Sequence, residues 1–86
     1  MWNSGFRFAQ ALPDANRVLF FSHGVRIAFT DSSGFWSYFR AAVLDLKTSE
    51  LVFRYNGHFG DDVSISPDGH EVAERHEDRL TLYSLP

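Results

Sequence analysis

The four histidines, His23, His58, His70 and His76, are the first side chains to test for chemistry. Imidazole binds metals and moves protons near neutral pH. His70 and His76 stand six residues apart, a spacing that suits no standard zinc arrangement, and the chain has no cysteine to complete a set. They read as turn and strand-end residues, as does His23, and His58 reads as a loop residue. Asp61 and Asp62 could offer oxygens to a hard cation, but "NGHFGDD" lacks the further ligands of a calcium loop. Ser22 and Ser66 lie outside any Gly-x-Ser-x-Gly elbow, and the six glycines are scattered through separate turns rather than gathered in a phosphate loop. The expectation is therefore no catalytic residue, no metal and no cofactor.

One stretch remains, Phe35-Trp36-Ser37-Tyr38-Phe39, with four aromatic rings in five residues. Neighbouring residues of a strand face opposite sides, so these rings cannot all enter one core. Either alternate rings fill contacts on both faces of a sheet buried on each side, or some emerge, and exposed Trp and Tyr suit protein interfaces or stacking against sugar faces. Phe35, Trp36 and Tyr38 are the contact candidates. A protein partner or self-association is expected, with carbohydrate as the alternative.

Composition narrows the setting. Of the 86 residues 44% are hydrophobic and 22% charged, as in a globular protein, whereas 16% aromatic, including nine Phe, leans towards β-structure. A net charge of -3 gives no footprint for nucleic acid or an anionic membrane. The amino terminus has no basic start followed by an apolar run, and no stretch has the length of a membrane helix. The default expectation is a soluble, cytoplasmic protein.

The elements that would position these residues are short strands. Asp62 to Ser66 alternates polar and apolar, Pro67-Asp68-Gly69 supplies a tight reversal, Glu71 to Arg75 returns, His76-Glu77-Asp78 turns again, and Arg79 to Leu85 alternates. Upstream, Arg17–Phe21, Val25–Thr30, Phe39–Leu46 and Leu51–Tyr55 read as strands. The segment 33–46 carries a second reading. Phe35, Phe39, Ala42, Val43 and Leu46 also fall at helical spacing behind Asp31 or Ser32 as N-cap, which would give a small α+β fold. The polar turn Lys47-Thr48-Ser49-Glu50 favours the strand. Ser22-His23-Gly24-Val25-Arg26-Ile27-Ala28 also matches Ser66 to Ala73, at a spacing of about 45 residues.

"SISPDGHEVAERHED", "RLTLYSL", "VRIAFTDSSG" and "AVLDLKTSELVFRY" resemble β-propeller repeats of the WD and Tol types, over roughly residues 17–85. The resemblance implies an all-β fold of antiparallel meander strands forming about two propeller-like blades. Blade one would span about 17–57 and blade two about 58–86, with residues 5–10 as a closing strand for the second. It also implies a structural hydrogen-bonding set like the WD tetrad, with His58 and Asp78 in the His and Asp places and Tyr83 where Trp is usual. The function implied is that of a scaffold: a non-catalytic module for protein–protein interaction or self-assembly, the alternative being an oligomeric propeller lectin with aromatic platforms.

Overall fold

The computed structural model describes residues 8–22, 26–30, 33–57 and 62–86, and these form an all-β fold. The strands are β1 (Phe8–Leu12), β2 (Arg17–Phe21), β3 (Ile27–Thr30), β4 (Trp36–Phe39), β5 (Ala41–Asp45), β6 (Glu50–Tyr55), β7 (Asp62–Ile65), β8 (Glu71–His76) and β9 (Arg79–Ser84). They make three antiparallel sheets, ordered β1-β2-β5-β6, β3-β4 and β7-β8-β9.

The first sheet is a meander with a long excursion in its middle. β1 reverses into β2 through a single 3-10 turn, Pro13–Ala15, followed by Asn16 at φ 55°, a left-handed conformation that Asn tolerates. β2 then pairs with β5, Phe21 opposite Ala41. Between them the chain runs out along β3 and back along β4 as a two-stranded ribbon, Ile27 opposite Phe39. The β5–β6 reversal is capped by Asp45, whose Oδ1 accepts the Lys47 and Thr48 N–H groups at 2.9 and 3.2 Å. A β-bulge at Val43/Leu44 re-aims the following pair.

With β3-β4 set apart as the ribbon, β7-β8-β9 is the second sheet, and it turns on Ser66-Pro67-Asp68-Gly69. Asp68 Oδ1 accepts the Ser66 hydroxyl at 2.6 Å and the His70 N–H at 3.0 Å, and Gly69 sits at φ 76°, where a side chain would be strained. Two residues, Glu77 and Asp78, link β8 to β9, with Glu77 at φ 57°.

The core lies between these sheets. Alternation on β2 sends Arg17, Leu19 and Phe21 to one face, joined there by Ala41, Val43 and Phe53. Val63, Ile65 and Val72 of the second sheet close over them, and the Phe53 and Tyr83 rings meet at 5.3 Å between centroids. Arg17 crosses the same seam. Its guanidinium donates to the Gly69 carbonyl at 2.6 Å, to the Pro86 carbonyl, and to Asp45 Oδ2 at 3.3 Å. Buried cations need such partners, and these draw the β7–β8 turn and the end of the chain onto β2.

The segment 33–46 takes the extended reading and not the helical alternative: β4 and β5 occupy it, separated by a bend at Arg40, because pairing with β3 and β2 satisfies both backbones. The expected strand Phe39–Leu46 is β5 over Ala41–Asp45, with Phe39 closing β4. The closing strand expected at residues 5–10 appears in its described part as β1, and it pairs with β2 rather than with the second sheet. Residues 13–16 make the shorter closure, which costs less chain entropy than a pairing across the molecule.

Candidate functional site

The β3–β4 ribbon positions the aromatic run. Across it Ala28 faces Tyr38 and Thr30 faces Trp36, so these four residues share one side. Ile27, Phe29, Ser37 and Phe39 share the other. That second side turns back over the first sheet: Phe29 meets Phe20 of β2 edge-on at 5.8 Å and Phe39 at 6.1 Å. The first side looks outward. Trp36 and Tyr38 are each 55% exposed, and Phe35, just before β4, is 68% exposed.

The sequence-predicted contact residues thus fall into two places. Trp36 and Tyr38 lie two residues apart on the outer face. Phe35 instead lines a groove of about 910 Å³ beneath the ribbon, with Phe29, Phe39, Leu44, Leu51 and Arg54 among its walls. The period of two separates Phe35 from its neighbour Trp36.

Asn56 holds the base of the ribbon. Its Oδ1 accepts the Arg40 N–H at 3.2 Å and its Nδ2 donates to the Tyr38 carbonyl at 2.9 Å. The Arg40 N–H also reaches the Tyr55 carbonyl at 2.9 Å, and the Arg40 carbonyl accepts the Ser22 N–H at 2.9 Å. The bend between β4 and β5 is therefore tied to β2 and β6 together. In sequence Asn56 reads as an exit-loop residue, and no local pattern marks it. Arg17 did carry a signal: it alternates in phase with Leu19 and Phe21, which puts a cation on the apolar face.

Of the tetrad-like residues, the described pair Asp78 and Tyr83 stand apart. His58 lies outside the described residues, as do His23 and Asp61. Asp78 is exposed in the β8–β9 turn, while Tyr83 packs its ring on Phe53. At roughly 3.3 Å per residue, the extended strand between them keeps these two out of hydrogen-bonding range. A smaller cleft of about 270 Å³ lies on the same face of the second sheet, lined by Tyr55, Gly57, Glu74, His76, Arg79, Thr81 and Tyr83. Among the described residues, no three His, Asp or Glu side chains come together as metal ligands.

Compared with known proteins, the chain matches no family model, no curated protein and no solved structure. Its functional reading therefore rests on geometry. No helix among the described residues is long and apolar enough to cross a membrane.

The carboxylates act on turns. Asp45 is held below the usual 3.8 chiefly by the Thr48 N–H, with Lys47 N–H and Arg17 adding to it against a desolvation that pushes the other way. Asp68 is held below 3.8 by the Ser66 hydroxyl first and the His70 N–H next. Both charges close reversals rather than face a groove.

Proposed function

We propose that this chain is a β-propeller-like, non-catalytic contact module, and that the outer face of the β3–β4 ribbon recognises a protein partner. Trp36 and Tyr38 carry the reading: two large rings stand open side by side on a short ribbon that Asn56 fixes at its root. Aromatic rings of this kind bring contact area at low rotamer cost, and the fixed root lowers the ordering cost of binding. The propeller-like part rests on two successive antiparallel sheets packed face to face, and on turns of the Ser-Pro-Asp-Gly kind.

Hydroxyl-radical footprinting, read by mass spectrometry on the whole chain, tests this. Oxidation of Trp36 and Tyr38 is compared between the purified chain and the chain in soluble protein extract of its source cells. Protection of both rings, with the exposed Leu46 as internal reference, is expected. Equal oxidation in both samples overturns the reading. Protection by a panel of free glycans, without protein, replaces it with saccharide stacking on the same two rings.

A further inference from the structure

The two sheets are built on one plan, and the plan is displaced from the repeat expected in sequence. Leu12 opposite Arg17 closes a four-residue loop, Pro13-Asp14-Ala15-Asn16, while Ser66 bonded to Glu71 closes another, Pro67-Asp68-Gly69-His70. Pro13-Asp14 thus corresponds to Pro67-Asp68, and the third strands follow in step. Arg17–Asp45 corresponds to Glu71–Ser84, Leu19–Val43 to Ala73–Leu82, and Phe21–Ala41 to Arg75–Leu80.

The sheets also stack in the same direction. A Cβ on Gly69 would come 2.8 Å from the Cβ of Ala15, its own counterpart in the first turn. The face carrying Leu19, Val43, Phe21 and Ala41 is covered by the opposite face of the second sheet, through Val63, Ile65 and Val72. This is a front-to-back contact, and it leaves the other front and the other back outside the seam. The uncovered front presents Leu80 and Leu82, 64% and 58% exposed, at the positions where the first sheet seals Ala41 and Val43. The back of the first sheet is roofed in part by the ribbon, through Phe29 on Phe20, and what stays open there is the groove between them, walled by Phe35, Phe39, Leu44 and Leu51.

We infer that a second copy of this chain docks head to tail, its groove-bearing back receiving the Leu80–Leu82 front of the first. The inner seam of each chain is the precedent for the front, since there Ala41 and Val43, the counterparts of Leu80 and Leu82, are sealed by an apolar back. The receiving groove differs from that back in being walled partly by the ribbon. A front-to-back contact is heterologous, so successive copies either close a ring or extend as a filament. The inference goes beyond the contact-module reading: it uses surfaces other than the Trp36–Tyr38 face and stands or falls independently of it.

Sedimentation equilibrium on the full chain provides the test. The wild-type chain associates with rising concentration. Leu82→Arg, which blocks the front, and Phe35→Asp, which blocks the back, each weaken association by more than about tenfold. Both positions are exposed, and circular dichroism checks the fold; Leu80→Arg is a second, independent block of the front. An equimolar mixture of L82R and F35D restores one intact contact and sediments as a discrete dimer. A wild-type chain that stays monomeric overturns the inference, as do variants that associate like wild type or a mixture that stays monomeric. Trp36 and Tyr38 lie on the far face of the ribbon from the groove, so their footprint reports on the contact-module reading separately.

Discussion

Leu19 and its counterpart Ala73 each lie on the second strand of a hairpin that turns on Pro-Asp, and each faces an apolar residue, Val43 or Leu82. Around Leu19 the face is sealed by the neighbouring sheet; around Ala73 it opens outward, with Leu80 and Leu82 exposed. The same arrangement of strands thus serves as core in one place and as surface in the other. Local sequence sets the hairpin, and what lies against it sets whether its face is dry. Arg17 adds a difference of charge: its counterpart Glu71 is exposed, whereas Arg17 is buried and bonded to both sheets.

The largest effect should separate the two faces. Leu19→Ala opens a cavity in a fully buried site and is expected to cost about 2–5 kcal/mol in urea unfolding. Leu82→Ala, measured at a concentration where the chain is monomeric, should cost less than about 0.5 kcal/mol. Equal losses at the two positions would mean that the seam is not where the core lies.

A smaller effect is expected where the two turns touch. Gly69→Ala forces a side chain into left-handed backbone, worth about 1–2 kcal/mol, and also drives its Cβ against Ala15. Ala15→Gly removes the second obstacle and leaves the first. The double variant should therefore lose less stability than the two single losses added together. Strict additivity in that cycle would separate the turns and undo the same-direction stacking.

Much of this fold could be read along the chain. The alternation in Arg17–Phe21, Asp62–Ser66 and Arg79–Leu85 and the Pro-Asp-Gly reversal mark strands and turns by local chemistry alone. Pairing was harder. Val25–Thr30 follows β2 directly in sequence, yet β2 joins β5, and β3 and β4 between them form a ribbon, because register is decided by contacts distant in sequence. Loop matching is harder for the same reason: Ser22-His23-Gly24 resembles Ser66 to Gly69 in composition, while among the described residues the loop closed between paired strands in the manner of Pro67 to His70 is Pro13 to Asn16. The exposed rings were legible from crowding, since alternation forbids burying all four in one core. Which of the two faces looks outward was not, because it depends on which side of the ribbon Phe20 closes.

The smallest effect concerns acid. Asp68 holds the second sheet's first turn and Asp45 the first sheet's last, each with its folded-state acidity strengthened by donors in the turn. A carboxylate with a depressed folded-state pKa contributes stability above its unfolded value, and that contribution is lost as pH falls through the folded value. Wild type should therefore exceed Asp68→Asn in thermal stability near neutral pH, and the gap should shrink as pH drops below 3.8. Asp45→Asn should behave alike, with one addition. Asp45 also accepts from Arg17 at the seam, so its loss should loosen the contact between sheets, seen as faster amide exchange in β2 and β7, whereas the loss from Asp68→Asn should stay within β7 and β8. Identical exchange patterns for the two variants would show that Arg17 is held by the carbonyls of Gly69 and Pro86 alone, and that the seam owes nothing to the Asp45 charge.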